Sequence, residues 1–278
     1  MGSRSPFILL DTGEGKPEYI PQLASALRDA QAQSTSHSTA LVSDIVISHR
    51  HFDHHGGLPS VLTLLRELQS TSSPRLHKWP LSGDDESISA TLAQITPGTF
   101  TAAPSGEPFH DLIEGQQLRA PDATLTVHHT PGHTDDSIFL QLAEENAVFS
   151  FDSVLGQGTA VFEDLRLYLQ SLKRILADVA FGRLYPGHGP LVEDGPKQVQ
   201  TYIEHREERE REIVKVLGSK ENQAAWSVLD IVAIIYAAYP KHLWAAAAHG
   251  VELHLVKLEA DGRVKKVLDG STERWSLI

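Results

Sequence analysis

Ser48-His-Arg-His-Phe-Asp-His-His-Gly-Gly57 decides how this chain is read. Four metal-capable side chains, His49, His51, Asp53 and His54, fall within six residues of one another. The apolar run Asp44-Ile-Val-Ile-Ser48 precedes them and reads as a strand. Alternate residues of extended backbone face the same way, so the imidazoles of His49 and His51 converge on one point. Asp53 and His54 come where the chain turns toward Gly56-Gly57, and their side chains address a second point close by. Two metals about 3.5–4 Å apart, sharing a hydroxide, fit that layout. The bland alternative is a surface-loop histidine cluster that holds nothing. It leaves the strand before the cluster and the Gly-Gly after it without a purpose.

Three residues downstream stand in comparable places. The strand-like Ala123–His129 ends in Thr130-Pro-Gly-His133, Val148–Phe151 runs straight into Asp152, and Arg183–Tyr185 enters Pro186-Gly-His188-Gly. Proline and glycine shape the turns, so the backbone places His133 and His188. A carboxylate at 152 can bridge two cations and offset their repulsion. Each residue alone is a weak signal. Their shared position after strands gives them weight, because sites in α/β folds gather at strand ends.

Composition narrows the chemistry. With 278 residues, 41% of them hydrophobic, the chain can bury one large α/β domain plus a small appendage. A formal charge of -12 argues against non-specific binding to a phosphate backbone, which needs basic patches. Cysteine is absent, so any metal rests on His, Asp or Glu. That donor set favours zinc, with manganese or iron as further options. No run approaches the roughly 20 apolar residues of a spanning helix. The opening MGSRSPFILLDTG is unlike a signal peptide, so the default expectation is a soluble cytoplasmic protein.

The remaining elements follow from periodicity and turn residues. Residues 7–10 read as a buried strand, 17–30 and 58–68 as helices, 34–38 as a polar turn and 77–79 as a short strand. Region 82–122 looks irregular, with short strands such as 117–119. Strands at 123–129, 137–142 and 147–151 precede an amphipathic helix over 164–176. The pattern then changes. A long charged helix spans 198–217, helices cover 224–238 and 241–258, and a strand or hairpin begins at 262. The charged run 207–214 reads as a solvated helix face with i,i+4 ion pairs. Trp226 and Trp244 read as core aromatics. The expected domains are 1–195 and 196–278.

His49-Arg-His-Phe-Asp-His54, with Pro131-Gly-His133, Asp152 and Gly187-His-Gly189, resembles the metallo-β-lactamase superfamily over roughly residues 7–193. The resemblance implies a four-layer αββα sandwich with two Zn(2+) ions between the sheets. It implies that His49, His51 and His133 hold one zinc, that Asp53, His54 and His188 hold the other, and that Asp152 bridges them. Asp53 would also orient the attacking hydroxide. Asp11, in the family's Asp-x-Gly turn, is expected to support the site rather than ligate. The tail motifs Tyr202-Ile-Glu-His-Arg206, Tyr239-Pro-Lys-His-Leu-Trp244 and His254 to Val264 resemble the winged-helix-like C-terminal module of the lactamase-β-2-like group. That group includes an endoribonuclease branch. It also includes fungal thioesterases of the atrochrysone carboxyl ACP type, which free an acyl chain from the carrier domain of a polyketide synthase.

Three departures from the family pattern stand out. The chain begins almost at the Asp-Thr-Gly turn, without the N-terminal hairpin usual in relatives, which predicts an exposed edge at 7–10. Phe151 stands where relatives commonly carry glycine, so its ring is expected to narrow the pocket or shift Asp152. Arg50 and His55 are extra polar residues, read as an ion-paired side chain and as a supporting or surface residue. The leading expectation is a zinc-dependent thioesterase whose partner is an acyl carrier domain. The alternatives are a single-strand endoribonuclease and an inactive truncated homologue.

Overall fold

The computed structural model describes every residue except 3, 34–39, 70–71, 220–224 and 270–271. The turn expected at 34–38 and the first residue of the helix expected from 224 lie outside the described residues.

Strands β1 (Phe7–Leu10), β2 (Val42–Ile47), β3 (Arg75–Lys78) and β4 (Phe109–Asp111) form a parallel sheet in that order. Strands β5 (Gln117–Ala120), β6 (Ala123–His129), β7 (Ile138–Leu142), β8 (Ala147–Phe151) and β9 (Arg183–Pro186) form the second. It is antiparallel up to β8, and β9 runs parallel to β8.

Alternation along the strands sorts side chains into layers. Ile45 and Ile47 of β2 pack under α1 (Tyr19–Gln33) and α3 (Leu58–Leu68), while Val46 joins Ile8, Leu125 and Leu140 between the sheets. Such burial on both faces is what a parallel strand with a continuous apolar run requires. Phe139, Val148 and Leu184 face the other way, under α5 (Leu165–Asp178) and the first half of α6 (Gly195–Leu217). Three apolar interfaces thus separate helix, sheet, sheet and helix, the expected αββα sandwich.

Strand direction positions the chemistry. β1 and β2 are parallel, so Asp11 and the 48–55 segment emerge at one edge. β6 and β8 both oppose β7, and β9 follows β8, so His133, Asp152 and His188 also emerge together.

The tail forms a small core of its own. Helices α7 (Val228–Ile235) and α8 (Trp244–Ala260) and the hairpin of β10 (Val264–Asp269) and β11 (Thr272–Leu277) pack around Trp275, Trp226 and Ile213. Trp244 packs at its margin. The helix expected over 224–238 is shorter than the periodicity implied. Ser227 and Asp230 make a reciprocal capping box at its start, and Trp226 is held extended by paired backbone bonds to Trp275. A helix absent from the sequence reading, α4 (Glu86–Leu92), is capped by Asp85 and buries only Ile88 and Thr91, too few for a periodic signal.

The charged run is not the fully solvated face that was expected. Glu210 is buried between Lys257 at 2.5 Å and Arg263 at 2.7 Å, as a buried carboxylate requires. The ion pairs along this part of α6 are i,i+3, Arg209–Glu212 and Arg211–Glu208. No helix among the described residues is long and apolar enough to cross a membrane.

Candidate metal centre

The seven side chains singled out from sequence gather into two adjoining groups of ligand-capable atoms. The first is built at the ends of β2 and β6. His49 Nε2 lies 3.0 Å from His51 Nδ1, and His133 Nε2 lies 3.2 Å from the former and 3.0 Å from the latter. A tetrahedral zinc with bonds of ~2.0–2.1 Å sets its ligand nitrogens about 3.3–3.4 Å apart. His133 Nδ1 donates to the Val161 carbonyl at 2.8 Å, so the neutral ring turns its Nε2 lone pair toward the other two histidines. Burial pushes His49 well below its ordinary pKa, and the neighbouring imidazoles of His54, His133 and His51 add to the effect. His133 is lowered as well, chiefly by burial. Neutral imidazole is the form that ligates.

The second group holds Asp53 and His54 on the short helix α2 (Phe52–His55), together with Asp152 after β8 and His188 after β9. His188 Nε2 is 3.0 Å from Asp53 Oδ2 and 3.4 Å from Asp152 Oδ2. His54 Nε2 is 3.5 Å from Asp53 and 3.4 Å from Asp152 Oδ1. Asp152 Oδ2 also comes within 4.0 Å of His133 Nε2, so this carboxylate faces both groups. Asp11 stands one bond behind. It accepts from His54 Nδ1 at 2.7 Å and from Ser48 N and Oγ, which leaves His54 Nε2 to face the site.

A cation fits what the residues leave open. His54 Nε2 and Asp152 Oδ1 are buried without hydrogen-bond partners. Buried orphans of this kind are costly unless an ion or water satisfies them. Burial opposes charging His54, yet its hydrogen bond to Asp11 and the nearby Asp152 carboxylate prevail and hold the metal-free imidazole up at about 10. Burial likewise works against ionising Asp152, and His54 outweighs it to lower that carboxyl.

Arg50 is ion-paired, as expected. Its guanidinium forks onto Glu163 at 2.6 and 2.7 Å and reaches Asp85 and Asp135 at 3.4 Å. The Glu163 N–H donates to Gly132 O, beside His133. Arg50 therefore ties the segment bearing His49 and His51 to the one bearing His133. Arg50→Ala is expected to weaken metal binding at the three-histidine group about 10–100-fold in a chain that still folds. Competition for the metal with a chromophoric chelator measures this, and unchanged affinity would show the tie to be idle. His55 is buried rather than at the surface, and bonds Thr91 Oγ1 and the Arg50 carbonyl.

Phe151 has a positive φ of 46°, beside a register shift between β8 and β9. That conformation favours glycine and costs other residues about 1–2 kcal/mol. The ring, buried between the sheets and exposed to a cleft beside Asp53, offsets the cost through apolar burial. Asp152 keeps its place among the ligand-capable atoms. Gly187 explains how: a Cβ there would lie 2.3 Å from Asp152 Oδ1. The sequence reading passed over Ser48, whose hydroxyl lies 3.0 Å from His49 Nδ1 and 2.8 Å from Asp11 Oδ2. Its place directly before His-x-His was the available signal.

Known proteins agree with this architecture. The profile of the metallo-beta-lactamase superfamily matches residues 8–196, and that of the beta-lactamase associated winged helix domain matches 227–275. The chain is 35% identical to a beta-lactamase-like protein 2 homolog of Drosophila melanogaster, over 95% of this chain and 82% of that protein. It is 29% identical to an atrochrysone carboxyl ACP thioesterase of Aspergillus chevalieri, over 100% of this chain and 80% of that one. The crystal structure of a beta-lactamase domain protein from Burkholderia ambifaria superposes with a TM-score of 0.70 at 18% identity, covering 100% of this chain and 84% of the other, a likeness of fold alone. The metallo-beta-lactamase match spans every residue of the two adjoining donor groups, so the chain belongs to the metallo-beta-lactamase superfamily and is a metal-dependent hydrolase.

Proposed function

We propose that this hydrolase is a zinc thioesterase that frees an acyl chain from an acyl carrier domain. In this reading His49, His51 and His133 would hold one zinc, Asp53, His54 and His188 would hold the second, and Asp152 would serve both. The division into a catalytic domain at 1–195 and an accessory module at 196–278 belongs to the same proposal. The start of α6 at Gly195, capped by Asp194, falls at that boundary.

The observation that carries the substrate class is a cleft of about 470 Å³ opening on Asp53 and His188. Ile8, Leu9, Phe149, Phe151 and Tyr185 form its apolar wall, and Phe149 and Tyr185 stack 4.9 Å apart. Among the described residues no lysine or arginine lines it. An acyl or aromatic chain suits such walls, whereas an RNA strand needs cations along its phosphates. The chain's similarity to the thioesterase of Aspergillus chevalieri supports the same choice.

Two zinc ions bound there would supply Lewis acidity and make a water acidic enough to ionise near neutral pH. The protein's own groups do the rest. The cleft walls exclude water from the acyl chain and orient its carbonyl. Asp53, the more exposed carboxylate of the site, takes a proton from the attacking water. As the C–O bond forms and the C–S bond breaks, that proton passes to the departing thiolate. The products are a carboxylic acid and the carrier thiol.

Incubation with an acyl-loaded carrier domain, and separately with unstructured RNA, tests the reading. Free acid is expected from the first and intact RNA from the second. RNA cleavage without acyl release would overturn the thioesterase assignment in favour of the endoribonuclease.

A further inference from the structure

A second cavity lies away from the metal donors, where α6 meets the loop that follows Asp152. It encloses about 260 Å³ and is lined by Thr159, Gln198, Thr201, Tyr202, His205 and Arg206. Arg206 is the unusual member. Its side chain is buried, 8% exposed, with the guanidinium 4.9 Å over the Phe162 ring. Its Nη2 donates to Thr159 Oγ1 at 2.5 Å and to the Ala160 carbonyl at 2.7 Å, both neutral acceptors. Its Nε is buried and has no partner. Among the described residues no carboxylate pairs with it. A guanidinium cannot shed its proton, so this charge stays buried without a counter-ion. Elsewhere on the same helix the pattern is the reverse: Glu210 is buried with two cations, and Arg209 and Arg211 each pair with a glutamate.

We infer that this cavity is a phosphate-binding site, with Arg206 as the charged anchor. With Nη2 committed to Thr159 and Ala160, the guanidinium offers its Nη1 side, next to His205, and its fixed positive charge to an anion in the cavity. Gln198 and His205 offer further polar atoms on the same wall, and His205 Nδ1 lies 3.4 Å from Arg206. The site is coupled to the metal centre by a short span. Gly156 donates to the His188 carbonyl, and Thr159 is three residues on, at most about 11 Å away even in extended chain. Tyr202 closes the connection by accepting from Leu155 N and donating to the Gly158 carbonyl. The phosphate is either free in solution or an ester on the arm that carries the substrate. Only the second source rests on the thioesterase reading, since the site binds inorganic phosphate under either.

The test gives Arg206 a counter-ion from within the chain. Thr159→Asp puts a carboxylate against Arg206, and Thr159→Val removes the hydroxyl without adding charge. The full-length, metal-loaded proteins are titrated calorimetrically with inorganic phosphate and with phosphopantetheine, and their melting temperatures are recorded without either. Phosphate taken up at the metals is common to all three proteins and cancels. The expected result is a binding event that weakens at least about tenfold in Thr159→Asp and persists in Thr159→Val, with Thr159→Asp melting higher than the parent. Tighter binding of phosphopantetheine than of phosphate identifies the ester as the source, and equal binding identifies the free ion. Identical isotherms for the parent and Thr159→Asp, or no binding beyond the metals in any protein, would overturn the site. Neither result depends on which ester or thioester the enzyme hydrolyses.

Discussion

Asp53→Ala is expected to cut hydrolysis by roughly 10²–10⁴-fold, the usual yield of a positioned proton-transfer group, while the fold survives. The side chain is 42% exposed and its close partner is His188 Nε2 at 3.0 Å, so its removal opens no core cavity. Asp53 also contributes a donor to the second group, so bound metal is expected to fall toward one ion per chain. Turnover, metal analysis and circular dichroism on one preparation separate the outcomes. Near-parental turnover would contradict the assigned role. Loss of the folded spectrum would show that the residue does structural work the distances do not reveal.

Withdrawal of metal should be the largest perturbation of stability. Metal at 1,000 times its dissociation constant stabilises the folded chain by about 4 kcal/mol per site. At a few degrees per kcal/mol for a chain of this size, chelation is expected to lower the melting temperature by roughly 8–16 °C per site emptied. The pH dependence carries a sign that identifies the residue responsible. In the metal-free chain His54 is raised from 6.5 to about 10. A raised pKa means that the folded state holds the proton more tightly than the unfolded state does. The resulting stability is complete below about 6.5 and is lost as pH climbs through about 10. In the metal-loaded chain that proton must leave before His54 can bind, so rising pH strengthens metal binding over the same window. Melting temperatures between pH 6.5 and 10 should therefore fall with rising pH without metal and stay nearly level with it, because neither the metal-bound imidazole nor, above 6.5, that of the unfolded chain carries the proton. A chelated protein that melts at the parental temperature, with parallel slopes, would remove the metal centre from the account.

The legible parts of this molecule were local. Extended backbone after β2 predicts that His49 and His51 converge, and the turn that follows predicts that Asp53 and His54 face a second point beside them. His133, Asp152 and His188 could be read because Pro-Gly turns or a strand end precede them. What stayed hidden depends on distant segments. Nothing near Arg50 in sequence points to Glu163, Asp85 or Asp135, which reach it only after the sandwich closes. Glu210 looked solvated because its partners, Lys257 and Arg263, lie 47 and 53 residues further along the chain. The backbone turn that places the Phe151 ring stayed hidden because a sequence does not display φ. The ring turns into the inter-sheet core, and the departure from glycine is absorbed by packing.

Helix α6 contributes Val199, Tyr202 and Ile203 to the core under the second sheet and Ile213, Val216 and Leu217 to the core around Trp275. One rigid rod is thus a structural member of two bodies. Neither can loosen without withdrawing side chains from the other, so the module acts as ballast for the catalytic half as well as an appendage to it. A gene that shed the tail at residue 196 would also unroof the sheet whose strand ends carry His133, Asp152 and His188. Inheritance should therefore keep the two parts together even where the module touches no substrate.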